Sequence, residues 1–246
     1  MFRKLAAVLC IAALASSCSL FRKEVKTPPE TLFREGEKLY SMKKYGAAAE
    51  KWRAVKEKTT SPLLRTAVEI RLADALFYDE SYIEAAAEYE NFRRLHPKHA
   101  KAAYALYMYG LSNLRQAEKI DTDQTPIRTA VTAFESFLQE YPNVELAREV
   151  REKLAECRTK QAAYEIYVGR FYYRTDKYGA AIGRLREAVE KYPGAAGNDE
   201  ALYLLGQAYL RAGEKGLAKD TFDRLVKEYP RSVFVDKAKK ALGGIS

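Results

Sequence analysis

The chain has 246 residues, 48% hydrophobic and 30% charged, with a formal net charge of +9, enough for one buried core or one long solenoid. Lys and Arg are interleaved with Glu, as in Lys51-Trp52-Arg53…Lys56-Glu57-Lys58 and Arg148-Glu149…Arg151-Glu152-Lys153. This is the pattern of solvated helix faces, so no nucleic-acid partner is expected, and the excess charge suits anionic partners or lipid head groups.

Residues 1–17 read as a secretory signal rather than as fold. Arg3 and Lys4 give a positive start, Leu5 to Ala15 a short apolar core, and Ala15-Ser16-Ser17 a small-residue cleavage region. The core is too short for a membrane span, which needs about 20 apolar residues. Leu14-Ala15-Ser16-Ser17-Cys18 resembles a bacterial lipobox, except that Ala15 holds the usual leucine position and Leu14 lies one place early. The resemblance implies cleavage before Cys18 and lipid attachment to that cysteine. The alternative is ordinary cleavage that leaves a plain cysteine. Cleavage removes Cys10, Arg3 and Lys4, which lowers the net charge from +9 to +7 and leaves Cys157 as a lone thiol. A lone cysteine excludes a disulfide framework, and its helical spacing from Val150 and Leu154 marks it as a small buried hydrophobe. No later segment approaches a membrane span. Residues 18–28 form the lipidated N-terminus and a linker, ending in Thr27-Pro28-Pro29-Glu30, where a helix starts.

From there to the end, one pattern recurs five times. The second helices align as Tyr45-Gly46-Ala47-Ala48…Trp52, Tyr82-Ile83-Glu84-Ala85…Tyr89, Thr129-Ala130…Phe134, Tyr178-Gly179-Ala180-Ala181…Leu185 and Gly216-Leu217-Ala218…Phe222. Each alanine precedes a large apolar residue by four positions. The first helices carry a small residue at Gly36, Ala73, Gly169 and Gly206, twelve positions before the alanine. Pro97, Pro142, Pro193 and Pro230 close four copies, because proline cannot continue a helix. The pattern matches the tetratricopeptide repeat, and the expected fold is an all-α solenoid of five helical hairpins, about ten helices. Hairpin one is expected at about 29–58 and hairpin two at about 63–95. Hairpin three begins near 99 and resumes at about 126 after the polar loop Ile120–Pro126. A single long helix is expected from Val144 to Tyr173, bending if anywhere near Arg158–Gln161, where the apolar stripe thins. Hairpin four closes near Tyr192, hairpin five spans about 198–228, and Ser232 to Ala241 forms a terminal helix whose lysines suit a polar cap. The repeat domain, 29–246, is expected in two halves, 29–125 and 126–246.

Chemistry-bearing motifs are absent. There is no phosphate-binding loop, no Gly-x-Ser-x-Gly, no His-Glu-x-x-His and no cysteine pair, so no enzyme activity, cofactor or metal is expected. His96 and His99 flank Pro97 without a third ligand nearby, which reads as a loop terminus. The remaining signal is aromatic. In such a stack the first helices line the concave surface, and Phe33, Tyr40, Phe77, Tyr78 and Tyr107 fall on that side, where partly exposed rings offer contact area at low entropic cost. Some of these rings could instead belong to the core.

With these features assembled, the chain resembles the BamD family of outer-membrane lipoproteins. The matching stretches are Ala73-Asp74-Ala75-Leu76-Phe77…Tyr82…Ala85…Tyr89…Phe92…His96-Pro97…His99, Asp121-Thr122-Asp123-Gln124-Thr125, Phe137-Leu138…Tyr141-Pro142 and Tyr178-Gly179-Ala180-Ala181-Ile182-Gly183-Arg184. A departure is Thr59-Thr60-Ser61-Pro62 at the end of hairpin one, where the family usually has Tyr/Phe-Pro-x-Ser. The resemblance implies a lipid-anchored adaptor on the periplasmic face of the outer membrane, within the machine that assembles β-barrel proteins. Its N-terminal groove would receive unfolded outer-membrane protein segments. Its C-terminal half would dock on the BamA-like barrel subunit beside accessory lipoproteins, with Arg184 as the docking residue to test. The alternative for Arg184 is an internal salt bridge, to Glu187 or Glu190. The alternative for the whole chain is a periplasmic tetratricopeptide scaffold for cell-wall, pilus or polysaccharide export machinery.

Overall fold

The computed structural model describes residues 27–117 and 123–245. The signal segment, Cys18 and residues 118–122 of the polar loop lie outside the described residues. Among the described residues every regular element is an α-helix. Five hairpins follow in chain order: α1 (Pro29–Ser41) with α2 (Tyr45–Lys58), α3 (Pro62–Tyr78) with α4 (Tyr82–Leu95), α5 (Ala102–Gln116) with α6 (Thr125–Glu140), α7 (Ala147–Arg174) with α8 (Tyr178–Lys191), and α9 (Asn198–Arg211) with α10 (Lys215–Glu228). The terminal helix α11 (Val235–Gly243) follows. Each helix packs chiefly on its neighbours in sequence, which is the contact pattern of a solenoid. No described helix is long and apolar enough to cross a membrane.

Small-on-large contacts set each hairpin. A Cβ added at Gly36 would stand 2.4 Å from Trp52 Nε1, and one at Gly206 would stand 2.5 Å from the Phe222 ring. The large side chain of the second helix therefore lies directly on the backbone of the first. Gly110 under Phe134 and Gly169 under Leu185 repeat the contact, while Ala73 and Tyr89, both fully buried, hold the same register in hairpin two. The turns repeat as well. Lys43, Glu80, Asp176 and Gly213 occupy the left-handed region at φ of 58°, 61°, 58° and 85°, each seven residues after the small residue. The next amide then donates back to the first helix, as Lys44 N does to Leu39 O at 3.0 Å and Lys177 N to Tyr172 O at 2.9 Å. Such a bond satisfies a carbonyl that the helix end leaves free. Only Gly213 meets that backbone without a steric cost.

Prolines set the stops. Pro97, Pro142, Pro193 and Pro230 each lie two residues past the end of a second helix. The departing sequence after hairpin one makes a helix start: Ser61 caps α3 by accepting from Leu64 N at 3.4 Å, and Pro62 takes the first helical position, where its missing N–H costs nothing.

The long helix runs without interruption through residues 158–161 and begins at Ala147. That is three residues later than Val144, whose carbonyl accepts from Ala147 N in the preceding turn. One hydrophobic core runs from Leu32 to Cys157 and a second from Ile166 to Ala238. The two cores meet inside α7, where Arg158, Thr159, Lys160 and Gln161 interrupt the apolar stripe.

Candidate functional site

Three of the five expected groove residues come together, but at the turn edge of the solenoid. Tyr40 lies in the last turn of α1 and Phe77-Tyr78 ends α3. The Tyr40 ring lies 6.0 Å from that of Tyr78, and Phe77 lies 5.6 Å from Tyr78. Two residues that the sequence reading missed complete the cluster. Tyr45 stacks on Tyr78 at 5.3 Å and touches Tyr40 at 5.2 Å, while Tyr82 meets Phe77 at 5.4 Å. A sequence signal existed, since both tyrosines open a second helix one turn after an aromatic residue that closes the first. Tyr78 is 50% exposed, so the cluster offers an open aromatic face. The Tyr40 hydroxyl is held above its ordinary range, by burial first and then by the Asp74 charge.

Phe33 stands apart, near the start of α1. Its ring is 6.3 Å from Trp52, whose Nε1 donates to the Phe33 carbonyl at 3.3 Å. Tyr107 is not a groove residue. It is 5% exposed, its hydroxyl donates to Glu149 Oε1 at 2.6 Å, and its ring meets Phe134 at 6.2 Å. The start of α7 crosses that face of α5 and covers it.

The first helices are joined to one another by polar contacts. Arg71 reaches Glu37 at 3.0 Å between α3 and α1. Arg170 grips Glu200 in forked geometry at 2.9 and 2.8 Å between α7 and α9. Deeper, the buried Asp74 Oδ1 accepts from Tyr89 OH at 2.7 Å and Tyr104 OH at 2.9 Å, so one carboxylate ties α3 to α4 and α5. Burial raises the Asp74 carboxyl above its usual range, and the two tyrosine hydrogen bonds oppose that rise.

Arg184 Nη1 pairs with Glu165 Oε2 at 3.0 Å, across hairpin four. An internal bridge is therefore present, with Glu165 rather than Glu187 or Glu190 as its partner. The hydrogen bond and charge of Glu165 raise the guanidinium pKa. Arg184 also lines a polar cleft of about 510 Å³ with Asp123, Arg128, Glu187, Lys191 and Tyr192, so part of its side chain faces open space.

The remaining candidates are structural in their surroundings. His96 Nε2 lies 2.7 Å from the buried Glu69 Oε2, and His99 packs against Phe92. Cys157 is fully buried, and burial pushes its thiol up to about 12, which keeps it protonated at neutral pH. Asp123 accepts from Thr125 N at 2.9 Å and Thr125 Oγ1 at 2.8 Å at the start of α6, and these bonds lower its carboxyl pKa.

Comparison with known proteins adds the family. The family described as outer membrane lipoprotein (YfiO) matches residues 25–222. An outer membrane protein assembly factor BamD from Rickettsia prowazekii is 29% identical over 93% of this chain and 92% of its own length. One from Neisseria meningitidis serogroup A is 27% identical over 85% of this chain and 82% of its own length. Among solved structures, the TPR2AB domain of yeast Sti1 in its pHSP90 complex is 13% identical, with a TM-score of 0.41 over 87% of this chain and 84% of that one.

Proposed function

Because the chain belongs to the YfiO family of outer-membrane lipoproteins, we infer from its curated relatives that it is an outer-membrane protein assembly factor. It works by binding protein rather than by catalysis, as a helical-repeat adaptor of the barrel-assembly machine. Family membership sets aside the alternative of a scaffold for cell-wall, pilus or polysaccharide export machinery.

The observation that carries substrate binding is the open aromatic edge made by Tyr40, Tyr45, Phe77, Tyr78 and Tyr82. An unfolded outer-membrane protein segment can lay its own aromatic side chains against it, and Phe33 extends the contact along α1. Tyr78→Ala tests this cleanly, because Tyr78 is half exposed and its loss leaves the packing of Trp52 and Tyr89 intact. Losing one aromatic hot spot commonly costs about 2 kcal/mol or more at an interface, so binding of an aromatic-ended β-signal peptide should fall about tenfold or more. Unchanged affinity with an unchanged melting temperature would remove the edge from the binding surface.

The C-terminal half docks on the BamA-like barrel subunit, with accessory lipoproteins nearby, through the surface around Arg184. The chain is held at the periplasmic face of the outer membrane by acyl chains on Cys18. Two or more chains make such an anchor stable where one is marginal, and Ser19 in place of an aspartate favours sorting to the outer membrane. Cys18→Ala should move the protein to the soluble periplasmic fraction; membrane retention of that variant would refute the anchor.

A further inference from the structure

We infer that the second half of α7 carries a docking face for an amphipathic helix of a partner protein, one with carboxylates in its first turn. The inference starts from register. Counted from the small residue of each first helix, three positions (five before, two before and two after) point to the preceding hairpin. In hairpin two they are Val68, Arg71 and Ala75, in hairpin three Ala105, Met108 and Ser112, and in hairpin five Ala201, Leu204 and Ala208. The first and last of each set are fully buried, because α2 lies on α3, α4 on α5 and α8 on α9. Hairpin one has no predecessor among the described residues, and its set is Thr31, Arg34 and Lys38, polar and largely exposed.

Hairpin four breaks the pattern. Its set is Tyr164, Tyr167 and Phe171, with Tyr167 42% and Phe171 57% exposed. The cause is length. Helix α6 has 16 residues and α7 has 28, and α6 is used up on the first half of α7, where Arg158 meets Glu135 at 3.2 Å. The start of α6 stands level with Gln161 and Tyr164, where Asp123 and Arg128 share a cleft with them. Beyond that point, among the described residues, about three turns of α7 have no helix on the side where the first helices of hairpins two, three and five have one. A polar set, as in hairpin one, would suit a face left to water; the aromatic set suits one that is covered.

Charge and direction select the occupant. The vacant side forms a cleft of about 360 Å³ lined by Tyr167, Arg170, Phe171, Arg174 and Thr175; Glu200 already holds Arg170, which leaves Arg174 as the cation that faces an occupant. Arg174 holds the register of Tyr78, five residues after the small residue, and Tyr78 is stacked by the first residue of α2 at 5.3 Å. A helix seated on α7 as α2 sits on α3 runs antiparallel to it and sets its first turn over Arg174. Carboxylates there meet Arg174 and also favour the positive end of the occupant's own helix dipole. A second copy of this basic chain brings like charge to the same place.

The test places photoreactive p-benzoylphenylalanine at Phe171 of the full chain in cells, with Lys38, the equivalent position of hairpin one, as the control. The crosslinked peptide is then sequenced. The expected adduct is one partner segment with an amphipathic helical pattern and at least two Asp or Glu in its first turn. Arg174→Glu should reduce that adduct about tenfold or more, with the melting temperature unchanged. An adduct to a second copy of this chain, to residues 18–28 of the same chain, to lipid or to a segment without those carboxylates would overturn the inference. So would an equal yield at Lys38, or no adduct at Phe171.

Discussion

The two cores are built from one hairpin plan and joined in two ways. In the N-terminal core, Leu32 to Cys157, the buried Asp74 joins hairpin two to hairpin three through Tyr104, the buried Glu69 holds His96 within hairpin two, and Glu149 of hairpin four accepts from the buried Tyr107 of hairpin three. In the C-terminal core, Ile166 to Ala238, the half-open pair Arg170–Glu200 joins hairpins four and five, and Arg184–Glu165 closes hairpin four itself. The small-on-large contact that closes a hairpin therefore leaves its stacking on the next one open. That stacking buries apolar residues such as Val68, Ala105 and Ala201, and the polar pairs add direction to it, because hydrogen-bond geometry is directional where apolar contact is not.

The largest effect should come from the hairpin contact itself. Trp52→Ala empties the space above Gly36 and should cost about 3–5 kcal/mol. Native-state hydrogen exchange should show α1–α4 losing protection while α8–α10 keep theirs; equal loss in both would mean that the cores unfold as one.

Next comes the buried carboxylate. Asp74→Ala strands two tyrosine hydroxyls and should cost about 2–4 kcal/mol. Asp74→Asn preserves the accepting oxygen and isolates the charge. The folded carboxyl pKa is raised above its usual 3.8, so the folded state holds its proton more tightly than the unfolded chain. Stability from this group is greatest below that value and declines as pH rises through the raised one. Arg71 and Lys101, which face the carboxylate, temper the decline. Chemical denaturation from pH 4 to 7 should show Asp74→Asn losing less stability than the parent across the window, and parallel curves would mean that Asp74 titrates normally.

The half-open pair should matter least. Arg184→Glu sets two carboxylates against each other at Glu165, and because Arg184 is about two-fifths exposed the cost should be only about 1 kcal/mol. Adding Glu165→Arg should recover it. Loss of barrel-subunit copurification beyond that recovery would separate docking from the internal bridge.

Much of the fold was legible in the sequence because its causes are local. Pro97, Pro142, Pro193 and Pro230 stop helices by their own chemistry, and the small and large residues of each hairpin are brought together by a short turn. The site was legible only in part. Tyr40, Phe77 and Tyr78 did gather, but Tyr45 and Tyr82 completed them from helices taken only as packing partners. Tyr107 occupies the expected side of α5, yet the crossing of α7 buries it, and Arg184 found Glu165 on the preceding helix instead of a neighbour one turn away.

By itself the sequence determined the hairpin plan, the turn and stop positions and the family, because helical period, proline and residue size act within a few turns of the chain. The tertiary structure alone decided where the core divides, which aromatic rings meet and which face of α7 stays uncovered. Those outcomes depend on how far each helix extends along its neighbour. That overlap is fixed between elements distant in sequence, and no single helix's periodicity encodes it.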